Sequence, residues 1–99
     1  MAKLAQGELD QALKELSGWS VRDGMLTKTY KHASYPEAIV FVNAVAHLAE
    51  ALNHHPDVDI RYCDITLALT THDQGGITAK DTELAGRVEA IRRKAGVSP

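Results

Sequence analysis

Cysteine is nearly absent. The single residue, Cys63, has no intrachain partner, so no disulfide staples the fold, and nothing in its sequence neighbourhood activates it as a nucleophile. Charge of one sign is missing too. Eleven Lys and Arg against thirteen Asp and Glu give a net charge of −2, too little positive charge to wrap nucleic acid or coat an anionic membrane. No apolar run approaches the roughly 20 residues that cross a bilayer, because Asn43, His47 and Glu50 interrupt the longest one. The N-terminal residues lack the basic, apolar and small-residue order of a secretion signal, so a reducing cytoplasm is the expectation. Repeats, linkers and low-complexity segments are lacking as well, and 99 residues suffice for one core, so residues 1–99 read as a single domain.

What is present is average globular composition, 44% hydrophobic and 24% charged, with clear periodicities. Leu9, Leu13 and Leu16 fall at helical spacing and Ser17-Gly18 supplies a stop, which predicts a short first helix from Glu8. Trp19 to Arg22 and Leu26 to Tyr30 alternate apolar and polar residues around Asp23-Gly24, a hairpin pattern. Ser34 with Glu37 three residues on marks the start of a long helix. Its stripe is Ala38, Phe41, Val42, Val45, Leu48, Ala49 and Leu52, and Pro56 forces an end near His54. Val58, Ile60 and Tyr62 share one parity, as do Ile65, Leu67 and Leu69, so two strands are expected with those faces toward a core. Gly75-Gly76 breaks the second run. Thr78 then caps a last helix with Asp81 at its third position and Leu84, Val88, Ile91 and Ala95 inward. The order α-β-β-α-β-β-α implies an α+β fold, a four-stranded antiparallel sheet with three helices packed on one face.

Chemistry concentrates at element ends. His54 and His55 end the long helix, where the negative end of its dipole attracts positive charge, and His72 ends the last strand. Glu50 precedes His54 by four residues, so a continuing helix would let the carboxylate orient that imidazole. Plainer roles compete: histidines cap helix carbonyls, and Asp81 can serve the dipole at a helix N-terminus without any substrate. His32 and His47 read as structural or solvated. Three histidines beside carboxylates also raise a metal site, but adjacent His54 and His55 cannot easily aim at one ion from a helix, and no H-x-x-x-H pair occurs.

The string Glu50-Ala51-Leu52-Asn53-His54-His55-Pro56, then Tyr62, then Thr70-Thr71-His72-Asp73 with Gly75-Gly76 and Thr78, then Asp81, resembles the signature of the pterin-4a-carbinolamine dehydratases. The likeness covers nearly the whole chain in element order. It departs before and within the long helix, where family members often carry several phenylalanines and this chain has Tyr30, His32 and Tyr35 with Phe41 retained. The resemblance implies dehydration of 4a-hydroxytetrahydropterin to quinonoid dihydropterin by histidine acid/base chemistry, with no cofactor and no metal. It implies His54 and His72 for proton transfer, His55 for orienting the pterin, and Glu50 and Asp81 for holding those rings. Asn53 and Thr70, Thr71, His72 and Asp73 then match substrate-binding stretches. A homodimer or homotetramer is expected, with a pterin as small-molecule partner and neither nucleic acid nor membrane. The alternative is a non-catalytic binding module, because some animal relatives are dimerisation cofactors of a homeodomain transcription factor.

Overall fold

The computed structural model describes residues 2–95, with side chains described up to Arg92; the inward position expected for Ala95 lies outside the described side chains. Helix α1 spans Gln6–Glu15, β1 Ser20–Arg22, β2 Met25–Lys31, α2 Tyr35–Leu52, β3 Asp57–Arg61, β4 Asp64–Leu69 and α3 Ala79–Ala95, with a single 3-10 turn at His72–Gln74. The strands form one antiparallel sheet in the order β1-β2-β4-β3. The expected α+β order is therefore the observed one.

Local chemistry explains each boundary. The Glu8 carboxylate accepts the Ala5 N–H at 2.8 Å ahead of α1, and Gly18 leaves that helix at φ 82°. Glycine suits that positive φ, where any side chain would be strained and a β-carbon would also press on the end of the Lys28 side chain. Asp23 and Gly24, at φ 52° and 76°, make the tight β1–β2 turn. Ser34 caps α2 by accepting the Glu37 N–H at 3.3 Å.

Register then builds the core. Leu26 faces Leu69, Lys28 faces Leu67 and Tyr30 faces Ile65 across β2 and β4. Opposed residues in antiparallel strands share a face, so these six side chains form the inner surface of the sheet. Ala38, Phe41, Val45 and Ala49 of α2 and Leu84, Ala85 and Val88 of α3 are buried with it. The outer surface is polar: Thr29 and Thr66 sit opposite one another and share a hydrogen bond of 2.7 Å.

Two sequence readings need correction. Val58 and Ile60 stand on the inner face, opposite Leu67 and Ile65, yet they are 41% and 43% exposed, and every residue of β3 is exposed. Strand β3 is one edge of the sheet, β1 being the other, and the helices do not cover it. Tyr62 is not in the strand; at φ 53° it turns the chain into β4, is 75% exposed, and its ring stacks 6.4 Å from that of Tyr35. Among the described residues, no helix is long and apolar enough to cross a membrane.

Candidate active site

Helix α2 ends in a left-handed residue, Asn53 at φ 50°. The Asn53 N–H donates to Glu50 O at 3.1 Å and the His54 N–H to Ala49 O at 3.0 Å, the paired closure that stops a helix and swings the following residue off its axis. That swing decides which carboxylate meets which histidine. Glu50, read from helical spacing as the partner of His54, instead lies 2.8 Å from His55 Nε2. His54 is carried toward the start of α3, where its Nε2 lies 2.5 Å from Asp81 Oδ1.

Asp81 is completely buried. Its other oxygen, Oδ2, accepts the Thr78 N–H at 2.8 Å and the Thr71 hydroxyl at 2.9 Å. One carboxylate thus joins the end of α2, the residues after β4 and the N-terminus of α3. A buried carboxylate is tolerable when donors surround it, and here the Thr78 N–H and the Thr71 hydroxyl donate to one oxygen while His54 Nε2 lies against the other. His54 itself is mostly buried, whereas the His55–Glu50 pair is exposed on both sides and is weakly held in water.

The remaining expected site residues fall on the same end of the sheet. Thr71 and Gly76 pair as an isolated antiparallel bridge, and the loop between them contains the 3-10 turn His72–Gln74, closed by Gly75 at φ 71°. His72 and Asp73 are exposed in that turn, Thr70 is half-buried just before it, and Asn53 is exposed at the helix end. Thr71 is buried, its hydroxyl engaged by Asp81 and by Thr78 at 2.8 Å. Tyr62 is not brought in: it lies at the far end of β3, about 15–20 Å along the strand. Among the described residues, no group of three or more His, Cys, Asp or Glu is placed to hold a metal ion. His54 and His55 address separate carboxylates, so the two rings do not converge on one point. His47 is exposed on α2, and His32 packs on Phe41 with Nδ1 3.2 Å from Cys63 O.

Sequence reasoning missed a second polar cluster. Lys28 occupies an inward position between Leu26 and Tyr30, and its Nζ lies 2.7 Å from Glu89 Oε2 and 2.6 Å from Ser17 O. Glu89 also accepts from Tyr30 Oη, from Trp19 Nε1 at 3.3 Å and from Arg92 Nε at 3.3 Å. Burial alone would raise the Glu89 carboxyl, but the donated hydrogen bonds and the charges of Lys28 and Arg92 outweigh it and hold the group below the usual range. Burial, then the Glu89 hydrogen bond, push the Tyr30 hydroxyl far above its ordinary value. A lysine on the core parity of a strand was the available signal, since such a charge requires a buried counter-ion. The cavity of about 490 Å³ beside Glu89, bordered by Glu15, Leu16, Ala79 and Glu83, contains none of the histidines.

Comparison with known proteins adds to this geometry. A family model described as Pterin 4 alpha carbinolamine dehydratase matches residues 2–91. A Herpetosiphon aurantiacus protein named "Putative pterin-4-alpha-carbinolamine dehydratase" is 53% identical over 91 residues, covering 92% of this chain and 95% of that protein. Among solved structures, a transcriptional coactivator/pterin dehydratase from Brucella melitensis superposes with a TM-score of 0.86 at 32% identity, covering 90% of this chain and 97% of that one. A pterin dehydratase-like protein identified as a RuBisCO assembly factor in the alpha-carboxysome superposes with a TM-score of 0.61 at 26% identity, covering 81% and 89%.

Proposed function

The chain belongs to the pterin 4 alpha carbinolamine dehydratase family, and we propose that it converts 4a-hydroxytetrahydropterin to quinonoid dihydropterin and water in the recycling of a tetrahydropterin, acting in the cytoplasm. The observation that carries this reading is the 2.5 Å contact of His54 with buried Asp81, flanked by His55 and His72 at one end of the sheet. Loss of water needs a base to take the N5 proton; its electron pair forms the N5–C4a double bond, and hydroxide leaves C4a with a proton from an acid. Imidazole serves either role near neutral pH. His54 and His72 move the two protons. His55, oriented by Glu50, binds and orients the pterin with Asn53, Thr70 and Asp73, while Asp81 acts through His54.

Self-association belongs to the same reading. The open edge of β3, with Val58 and Ile60 exposed on its inner side, suits pairing with a second copy as a dimer, or a tetramer built from such dimers. The same edge suits the second reading, a non-catalytic binding module, which the words coactivator and assembly factor in the descriptions of the two solved structures bring to mind. Turnover separates them. Purified protein should accelerate dehydration of 4a-hydroxytetrahydropterin, followed by the absorbance of the quinonoid product, and a rate equal to the uncatalysed one would leave the binding module in its place.

A further inference from the structure

The hydroxyl protons around Asp81 can be assigned by counting donors. The Lys80 N–H donates to Thr78 Oγ1 at 3.2 Å, and the Thr71 hydroxyl has one proton, given to Asp81 Oδ2 at 2.9 Å. The 2.8 Å contact between Thr71 and Thr78 must then be donated by Thr78. All donors run one way, from Lys80 through Thr78 and Thr71 to Asp81, and the Thr78 N–H adds another at 2.8 Å. A carboxylate so surrounded has only acceptors to offer. The proton in the His54–Asp81 contact therefore belongs to His54 Nε2, which leaves Nδ1 as the free lone pair of the neutral ring. The His54 side chain keeps 11% of its surface exposed, and among the described residues Nδ1 is not one of the buried side-chain atoms left without a partner.

We propose that Thr71 and Thr78 are positioning residues whose hydroxyls, linked in series, hold Asp81 as an acceptor and so fix His54 in the tautomer protonated on Nε2, making Nδ1 the atom that exchanges a proton with the substrate. Thr71 then has no hydroxyl proton left to donate to a pterin, unlike the substrate-contacting role that the resemblance implies for it. The substrate half of this assignment rests on the dehydratase reading; the tautomer half does not.

The test uses Thr71→Val, which keeps the β-branched shape of a buried residue and removes only the hydroxyl, with Thr71→Ser as the rescue. Imidazole 15N shifts of uniformly labelled protein, with His54 assigned by loss of its signals in His54→Ala, report the tautomer whether or not any activity exists. In the wild type, neutral His54 should carry its proton on Nε2. In Thr71→Val the second tautomer should appear and kcat should fall about tenfold or more, the worth of one hydrogen bond to a charged group, with KM within about twofold. Thr71→Ser should restore both. A wild-type ring protonated on Nδ1 overturns the proposal even if Thr71→Val fails to fold. A higher KM with unchanged kcat and tautomer would make Thr71 a pterin contact and also overturn it. An inactive wild type with the Nε2–H tautomer would refute the dehydratase reading alone.

Discussion

Replacing Glu89 by Ala removes the acceptor shared by Lys28, Tyr30, Trp19 and Arg92 and leaves the Lys28 ammonium, in a residue only 4% exposed, with Ser17 O as its remaining hydrogen-bond partner. Removing one member of a buried, hydrogen-bonded ion pair costs about 3–5 kcal/mol, because the other charge stays desolvated. Against the roughly 5–15 kcal/mol that holds a domain of this size, that is a large fraction. At about 4–8 °C per kcal/mol, the midpoint of thermal unfolding should drop by at least roughly 12 °C. Urea unfolding followed by tryptophan fluorescence measures the loss directly, since Trp19 touches Glu89. The double variant Lys28→Met, Glu89→Leu should recover much of it, as apolar side chains of similar volume often replace a buried pair at little cost. What stays lost is the Glu89 partnership of Trp19, Tyr30 and Arg92. The His54–Asp81 contact should survive in all these variants, because Glu89 lies eight residues beyond Asp81, about 12 Å along α3. A Glu89→Ala loss below about 1 kcal/mol, or single-variant losses that simply add in the double variant, would refute a desolvated, coupled pair.

Three other outcomes follow from the structure. Because the Glu89 carboxyl titrates below its ordinary range, its contribution to stability is complete above about pH 4–5 and disappears as pH falls through the lowered folded value; urea unfolding between pH 2 and 7 should show this acid loss in the wild type and less of it in Glu89→Gln. His54→Ala and His72→Ala should each lower kcat by about 10² to 10⁴, His55→Ala should raise KM more than it lowers kcat, and His47→Ala should change neither; wild-type turnover in both His54→Ala and His72→Ala would remove the acid/base assignment. Placing a charge on the open edge with Ile60→Lys should convert an associated wild type to monomer in sedimentation velocity, whereas a wild type monomeric at micromolar concentration would remove the edge-pairing model.

Element order was legible because each element advertises itself locally: Asp23-Gly24 for the hairpin, Ser34 and Glu37 for the start of α2, leucine and isoleucine parity for β4. The errors arise where a neighbour in space decides the outcome. Parity places Val58 and Ile60 on the inner face, but only the lateral extent of the helical layer determines whether that face is covered, and no periodicity encodes it. Glu50 was matched to His54 by assuming a continuing helix, and the left-handed turn at Asn53 transfers the carboxylate to His55. The stretch from Glu50 to Asp81 does span element ends that meet in space, those of α2 and β4 and the start of α3. Spacing could not show that the Thr71 hydroxyl proton is given to Asp81, because that depends on contacts with residues seven and ten positions away. Lys28 was readable as an inward charge, but its partner lies 61 residues along the chain.

The burial of Asp81 also constrains the order in which this sequence can drift. A substitution that removes His54 alone strands Oδ1 of a fully buried carboxylate, a penalty of about 1–3 kcal/mol or more for a charged group. His55 and Glu50, both at the surface, can be lost singly at little cost to the fold. A lineage keeping this scaffold while losing His54 should therefore change positions 54 and 81 as a pair, and the two should covary among its descendants, while positions 50 and 55 diverge independently.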